Sequence, residues 1–191
     1  MGYETGGFHQ REHQLMKYLE FNEVQRFRVR WAWAAVIVIN GLFIYAIVQQ
    51  VVMGKPFGNK PASNLTLVLI ELGPLAVLFF LNSIKLKTSI DQMGIHYCFF
   101  PFQLRTTTIH WDELRDAYMR EYNSFHEYGG WGIRIGSAKT GNAVNTSASG
   151  KVGLQLQFKD GKLLLIGTKQ PGAIEKIISE IIASGKINRG I

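Results

Sequence analysis

The chain has 191 residues, of which 47% are hydrophobic and 18% charged, and its formal net charge is +7. Besides the two long apolar segments described below, this length leaves room for one domain of about 100 residues. The single cysteine, Cys98, excludes an intramolecular disulfide and is compatible with a reducing compartment.

Residues 1–30 form a polar N-terminal segment. Its start, MGYETGGFHQREHQ, has no apolar core, so we expect no cleaved signal peptide. From residue 11 the spacing of Leu15, Leu19 and Phe27 predicts a partly amphipathic helix lying at a membrane surface. The alternative is a plain helical extension of the apolar segment that follows. The basic residues that both interpretations place at lipid headgroups are Arg26, Arg28 and Arg30.

Two apolar segments, residues 31–53 and 65–84, dominate the first half of the chain. At about 1.5 Å per residue, each is long enough to cross a hydrocarbon core of about 30 Å as a helix. The loop between them, residues 54–64, contains two glycines and two prolines, which favour a tight return. We therefore predict a two-helix transmembrane hairpin. A buried hairpin in a soluble protein is the alternative.

Basic residues lie mainly outside this hairpin. Its loop carries only Lys55 and Lys60, whereas the basic residues near the outer ends are Arg26, Arg28, Arg30, Lys85 and Lys87. Because basic residues favour the cytoplasmic side, we predict that both termini are cytoplasmic. All five of these outer basic residues are expected to contact lipid headgroups.

Glu71 is the only charged residue within the two predicted spans. A carboxylate inside a membrane is costly and indicates a functional site. One interpretation is structural, with the carboxyl group near an interface or hydrogen-bonded to the first helix, where Asn40 is a candidate partner. The other is a proton site or partner site. Nearby Pro74 predicts a kink, since it cannot donate a hydrogen bond to the carbonyl of Ile70.

After residue 84 the pattern changes to short strands separated by turns. The predicted strands cover residues 86–91, 95–100, 105–111, 114–122, 128–136, 152–158 and 162–168, the fourth with a bulge. Residues 137–150 are rich in small and polar side chains and are predicted to form a long exposed loop or a poorly ordered edge. A helix beginning at Pro171 and ending at Gly185 carries an isoleucine stripe at helical spacing.

Seven strands followed by one amphipathic helix is the element order of pleckstrin-homology-type (PH-like) domains. The segments GIHYCFFPF, IHWDEL, EYGGWGIR and GLQLQFKDGKLLLIGTKQP resemble the bacterial PH-like family of small membrane-anchored proteins, and the resemblance covers residues 87–182. It departs from the family at residues 143–150, where the connection is usually shorter and contains an aromatic residue. Family members are mostly uncharacterised, so no catalytic residues follow from the resemblance.

The resemblance implies a fold and a two-helix anchor. The fold is an α+β or all-β domain, a seven-stranded orthogonal β-sandwich or barrel capped by the C-terminal helix and anchored by two transmembrane helices. With the distribution of basic residues, the predicted location is the bacterial cytoplasmic (inner) membrane, with the PH-like domain on the cytoplasmic side.

The stretch EYGGWG could be mistaken for a phosphate-binding loop, but it lacks the glycine spacing of such loops and does not open a helix. Its glycines predict a bulge or a close backbone approach, with the tryptophan packing nearby. The residues of this structural motif are Tyr128, Gly129, Gly130, Trp131 and Gly132.

No residue pattern indicates catalysis or metal binding. His96, His110 and His126 lie on different predicted elements, with no cysteine or histidine at metal-ligand spacing. Cys98 lies in an apolar strand without a basic partner, which is typical of a small hydrophobic residue rather than a nucleophile. We expect a protein that is not an enzyme and that needs no cofactor or metal.

Three hypotheses of function follow, and membrane lipids but no nucleic acid are expected as partners. The first is an interaction module, an adaptor or accessory subunit that binds another membrane or cytoplasmic protein, or a second copy, through loop 137–150 or an exposed sheet edge. The second is an anionic-lipid-binding or membrane-organising protein. A phosphoinositide site is not expected, because the first hairpin loop, residues 91–94, carries an acid and no cation. The third is transport or proton transfer at Glu71, which needs an oligomer because two helices enclose no pathway.

Overall fold

The computed structural model describes residues 20–146 and 151–187. These residues divide into two compact units. The helical unit spans Phe27–Ile84, and the β unit consists of the described residues on either side of it, 20–26 and 85–187. The helical unit is therefore inserted in the chain between the first and second strands of the β unit.

The helical unit contains two long helices. Helix α1 runs over Arg30–Ile47 and continues as a π-helical turn, Val48–Val52, and helix α2 runs over Asn64–Ser83. At the start of α2 the Ser63 hydroxyl accepts a hydrogen bond from the backbone N–H of Thr66 at 3.1 Å. Both helices are long and apolar enough to cross a membrane, which supports membrane association.

The first sheet of the β unit has four antiparallel strands in the spatial order β1-β2-β3-β4. The strands are β1 (Phe21–Arg26), β2 (Lys85–Ile90), β3 (Gly94–Phe100) and β4 (Thr107–His110). Strand β1 pairs with β2 so that Arg26 lies opposite Lys85. The next backbone pair, within the helical unit, is also bonded: the N–H of Phe27 donates to the carbonyl of Ile84 at 3.1 Å. The two ends of the inserted hairpin are thereby held side by side.

The second sheet has five strands in the spatial order β5-β8-β9-β7-β6. The strands are β5 (Leu114–Glu121), β6 (Gly132–Arg134), β7 (Asn142–Asn145), β8 (Val152–Phe158) and β9 (Leu163–Gly167). All neighbours are antiparallel except β7 and β9, which are parallel. The register of β5 shifts between Leu114 and Asp116, which confirms the predicted bulge. Two helices belong to this unit, α3 (Ser124–Tyr128) and α4 (Pro171–Ala183).

The core of the β unit is formed by alternate residues of both sheets and by one stripe of α4, which packs on β1, β5 and β8. Its least accessible side chains include Leu86, Ile90, Ile95, Phe99, Leu154, Leu156, Ile174 and Ile181. A smaller buried cluster joins Tyr122, Tyr128, Ala143 and Leu165. The isoleucine stripe of α4 is confirmed as a core-facing surface.

The amphipathic helix expected before the first span is wrong in its described part, since residues 21–26 form strand β1. Burial alternates along this strand, with Phe21, Glu23 and Gln25 buried and the residues between them exposed. Two of the three buried side chains are polar, so the period of two is not visible as a hydrophobic pattern. The rest of that prediction, residues 11–19, lies outside the described residues.

The predicted strand 128–136 is also wrong in part, because α3 occupies Ser124–Tyr128 and strand β6 covers only Gly132–Arg134. The predicted loop 137–150 contains strand β7, and its last residues, 147–150, lie outside the described part. The described residues therefore form nine strands rather than seven. They form two sheets and no closed barrel.

Candidate functional site

Asn40 and Glu71 are the two buried polar residues of the helical unit, with 6% and 4% of their surface exposed. The side-chain N–H of Asn40 donates to the carbonyl of Val36 at 2.7 Å. Among the described residues, neither carboxyl oxygen of Glu71 nor the side-chain oxygen of Asn40 has a hydrogen-bond partner. Both side chains are buried, but no hydrogen bond joins them, contrary to the interpretation that made Asn40 the partner of Glu71.

A buried polar network connects β1 to the second sheet, and no sequence pattern predicted it. The amide of Gln25 donates to the carbonyl of Gly167 at 2.6 Å, and the Thr146 hydroxyl donates to Gln25 at 3.2 Å. The carboxylate of Glu23 accepts from the Thr168 hydroxyl at 2.7 Å and from the backbone N–H of Lys169 at 2.9 Å. Because each of these groups is satisfied, the network locks β1 in place.

Arg120 is the centre of a second polar cluster, which includes part of the EYGGWG motif. Its guanidinium donates at 2.8 Å to Gln155, to Glu127 and to the hydroxyl of Tyr128. The Tyr128 hydroxyl in turn donates to the carbonyl of Thr140 at 3.1 Å. Burial raises the pKa of Tyr128 above its ordinary value. These contacts join β5, α3 and β8, so the cluster has a structural role.

The glycines of the motif adopt backbone conformations that other residues disfavour. Gly129 ends α3 in the left-handed conformation at φ 67°, and Gly130 and Gly132 have φ values of 134° and 104°. Trp131 packs edge to face against Phe125, with ring centroids 5.5 Å apart. The motif therefore makes a sharp turn between α3 and β6, in line with the structural interpretation of its sequence.

The described histidines lie on β3 (His96), β4 (His110) and α3 (His126), and no group of three or more His, Cys, Asp or Glu side chains in the described residues could hold a metal ion. His96 lies between the Asp91 carboxylate, at 3.0 Å from Nε2, and the Thr108 hydroxyl, at 2.9 Å from Nδ1. Burial alone would raise the pKa of Asp91, but hydrogen bonds from His96 and from the backbone N–H groups of Met93 and Gly94 lower it overall. The Asp91 carboxylate is thus hydrogen-bonded to groups of the β2–β3 turn and the start of β3.

Three of the five basic residues expected at headgroups share the outward face of the first sheet. Arg26, Lys85 and Phe100 lie opposite one another across β1, β2 and β3, and the Lys85 ammonium lies 5.3 Å from the centre of the Phe100 ring. Lys87 lies on the same face in the adjacent row. The other two, Arg28 and Arg30, are exposed residues of the helical unit.

The last strand of the second sheet, β6, has an apolar and accessible edge. It pairs with β7 on one side, and no strand of the described residues pairs with its other side. Ile133 and Ile135 are 45% and 88% exposed, and Phe125 of α3 is also exposed. We call Phe125, Ile133 and Ile135 the β6 patch. Large apolar side chains on an exposed strand edge are typical of a site of strand addition.

A scan against protein-family models finds no match for this sequence, and a search of curated proteins finds no matching chain. The candidate sites therefore rest on the geometry described above.

Proposed function

We propose that this protein is a non-catalytic interaction module anchored in the bacterial cytoplasmic membrane by α1 and α2. In this proposal its β unit is a PH-like domain on the cytoplasmic side, acting as an adaptor or accessory subunit of a membrane complex. The observation that supports it best is the β6 patch, an apolar strand edge in the β unit.

The proposed mode of binding is strand addition. An extended segment of a partner protein pairs with the backbone of β6, and its apolar side chains contact Ile133 and Ile135. Exposed sheet edges bind in this way because main-chain hydrogen bonds supply affinity and alternate side chains supply specificity. The second sheet supports the strand rigidly, since β7 is paired on both of its sides.

The test is site-specific photo-crosslinking in native membranes with the full-length protein. A photo-reactive amino acid at position 135 should crosslink to one protein in high yield, which mass spectrometry identifies. The same group at position 93, an exposed apolar position in the β2–β3 turn, is the matched control and should give no such product. Crosslinking of a second copy would make the module a homo-oligomer.

Substitution of two apolar residues of the β6 patch by lysine provides the second half of the test. In a protein with the photo-reactive group at the neighbouring position 134, the double substitution Ile133→Lys and Ile135→Lys should abolish the crosslinked product, because charged edge strands resist pairing. Met93→Lys should leave it unchanged. An equally strong product from the double-lysine variant would contradict the proposal.

A further inference from the structure

The loop between β3 and β4, residues 101–106, presents two large apolar side chains to the surroundings. Phe102 is 60% exposed and Leu104 is 81% exposed. The basic side chain of Arg105 is exposed directly beside them. Isolated exposed apolar residues are common in soluble proteins, but two of them beside a cation in one short loop are typical of a membrane-contacting loop.

This loop is held in a defined conformation by Gln103. Only residues 94–97 of β3 pair with β4. Beyond them, the backbone of Phe99 forms hydrogen bonds with Gln103. The N–H of Gln103 donates to the carbonyl of Phe99 at 2.7 Å, and the side-chain oxygen of Gln103 accepts from the N–H of Phe99 at 3.0 Å. Phe102 stacks on Phe99 with ring centroids 5.4 Å apart. Because these contacts already hold the loop, little further conformational entropy is lost when Leu104 binds a surface.

The charge around the loop is positive. The loop begins after Phe100, which lies in the same row as Lys85 and Arg26. The outward positions of β1, β2 and β3 contain no acidic residue, and they are Asn22, Val24, Arg26, Lys85, Lys87, Ser89, His96, Cys98 and Phe100. A loop with apolar side chains at its tip and basic residues near it complements an anionic lipid surface.

The same end of the sheet is joined to both helices by very short stretches of chain. One residue, Ile84, separates the end of α2 from Lys85, and three residues separate Arg26 from the start of α1. Arg26 and Lys85 are therefore the residues of the first sheet that are nearest in the chain to the two apolar helices.

We infer that the β3–β4 loop is a second membrane contact, in which Phe102 and Leu104 enter the interface of an anionic bilayer while Arg26, Lys85 and Arg105 contact lipid phosphates. This contact is distinct from the β6 patch and fixes the β unit to the lipid surface. The β unit then has one orientation on the membrane rather than rotating freely on its tether.

The test places a nitroxide label on the full-length protein in lipid vesicles. Cys98 is the only cysteine, so Cys98→Ser followed by Leu104→Cys gives a unique attachment site, and serine retains a donor for the carbonyl of Gln103. In vesicles rich in phosphatidylglycerol, the label at 104 should be more accessible to oxygen than to a water-soluble nickel complex. A label at Met93→Cys, at the opposite end of β3, should show the reverse.

Charge reversal tests the part played by the cations. The double substitution Lys85→Glu and Arg105→Glu should shift the docking equilibrium of the loop by at least about 30-fold, because each cation contributes about 1 kcal/mol near an anionic surface. The double substitution Lys159→Glu and Lys176→Glu changes the net charge equally at exposed positions away from this face and should have no such effect.

Three results would overturn the inference. Nickel accessibility at 104 equal to that at 93 would place the loop in water. Shielding of 104 from both reagents, whatever the lipid, would mean that protein covers it. Equal insertion into phosphatidylcholine and phosphatidylglycerol vesicles would remove the role of anionic lipid. Because position 104 lies outside the β6 patch, each result leaves the crosslinking test of the patch independent.

Discussion

Asp91 illustrates at the scale of single residues why the β2–β3 turn does not resemble an anion-binding loop. One of its carboxylate oxygens accepts from the backbone N–H groups of Met93 and Gly94 at 2.8 and 3.1 Å, and the other lies 3.0 Å from His96. Its main-chain carbonyl accepts from the indole of Trp111 at 3.0 Å. The backbone donors that could bind a phosphate are thus already used by an acid.

The lowered pKa of Asp91 predicts a pH-dependent contribution to stability. A carboxyl group whose folded-state pKa lies below the unfolded value stabilises the fold above that unfolded value, near 3.8, and loses this effect as the pH falls through the folded-state pKa. Asp91→Asn should therefore lower the free energy of unfolding at pH 7 by about 0.5–1 kcal/mol, given its partial exposure. The difference from the wild type should shrink below pH 3.8.

Thermal unfolding followed by circular dichroism at a series of pH values measures this difference. Asp112→Asn removes an exposed carboxylate of the nearby 3₁₀ turn and provides the control. A stability difference for Asp91→Asn that stays constant down to low pH would show that the carboxylate charge is not what the turn requires.

At the scale of elements, Glu71 is the least expected feature of the helix pair. Its burial without a described partner costs free energy, because a polar group loses its hydrogen bonds to water. Groups of this kind are often kept for a function rather than for stability. A stability measurement can therefore test the hypothesis of a proton or partner site at Glu71.

Glu71→Leu should raise the stability of the helix pair by about 1–3 kcal/mol, since it replaces an unsatisfied buried polar group with an apolar one of similar size. The measurement is thermal unfolding of the full-length protein in detergent micelles. Leu72→Glu, which adds a carboxyl group on the exposed side of the same turn, should be destabilising in comparison. A lower melting temperature for Glu71→Leu would instead indicate that a proton, ion or second copy binds the carboxyl group.

At the scale of the whole molecule, the helical unit is inserted within a β-hairpin. Arg26 and Lys85 are ladder partners, so the β unit is continuous across the point of insertion. The anchor could therefore be removed without breaking any pairing of the first sheet. The pairing of β1 with β2 lies entirely within the β unit.

Replacing residues 27–84 with Asn-Gly should give a soluble, cooperatively folding β unit, because a two-residue type I′ turn closes an antiparallel pair. Gel filtration and thermal unfolding measure this outcome. A chain that begins at Lys85 is the control, and it should aggregate or unfold at a lower temperature, since it lacks the buried Phe21 and the network of Glu23 and Gln25. Equal stability of the two variants would mean that β1 is dispensable.

Several elements of this fold depend on local patterns and were predictable from the sequence. Two uninterrupted apolar segments predicted α1 and α2, segments 152–158 and 162–168 predicted strands β8 and β9, and the spacing of the isoleucines predicted α4. In each case neighbouring residues carry the information, because helical period, turn geometry and apolar length are all short-range properties. Its place within one of these segments identified Glu71 as a candidate site, whereas its burial is a finding of the structure.

Only the tertiary structure decided the elements that depend on distant partners. Strand β1 buries Glu23 and Gln25 because β9, β7 and the residues that follow them supply hydrogen bonds from more than a hundred positions away. Strand β7 forms in a polar stretch because the edge of β9 pairs with it in parallel. Polar residues carry no hydrophobic period, so such strands cannot be predicted until their partners are in place. The same holds for the basic residues near the β3–β4 loop, which come from strands on both sides of the helical unit in the chain.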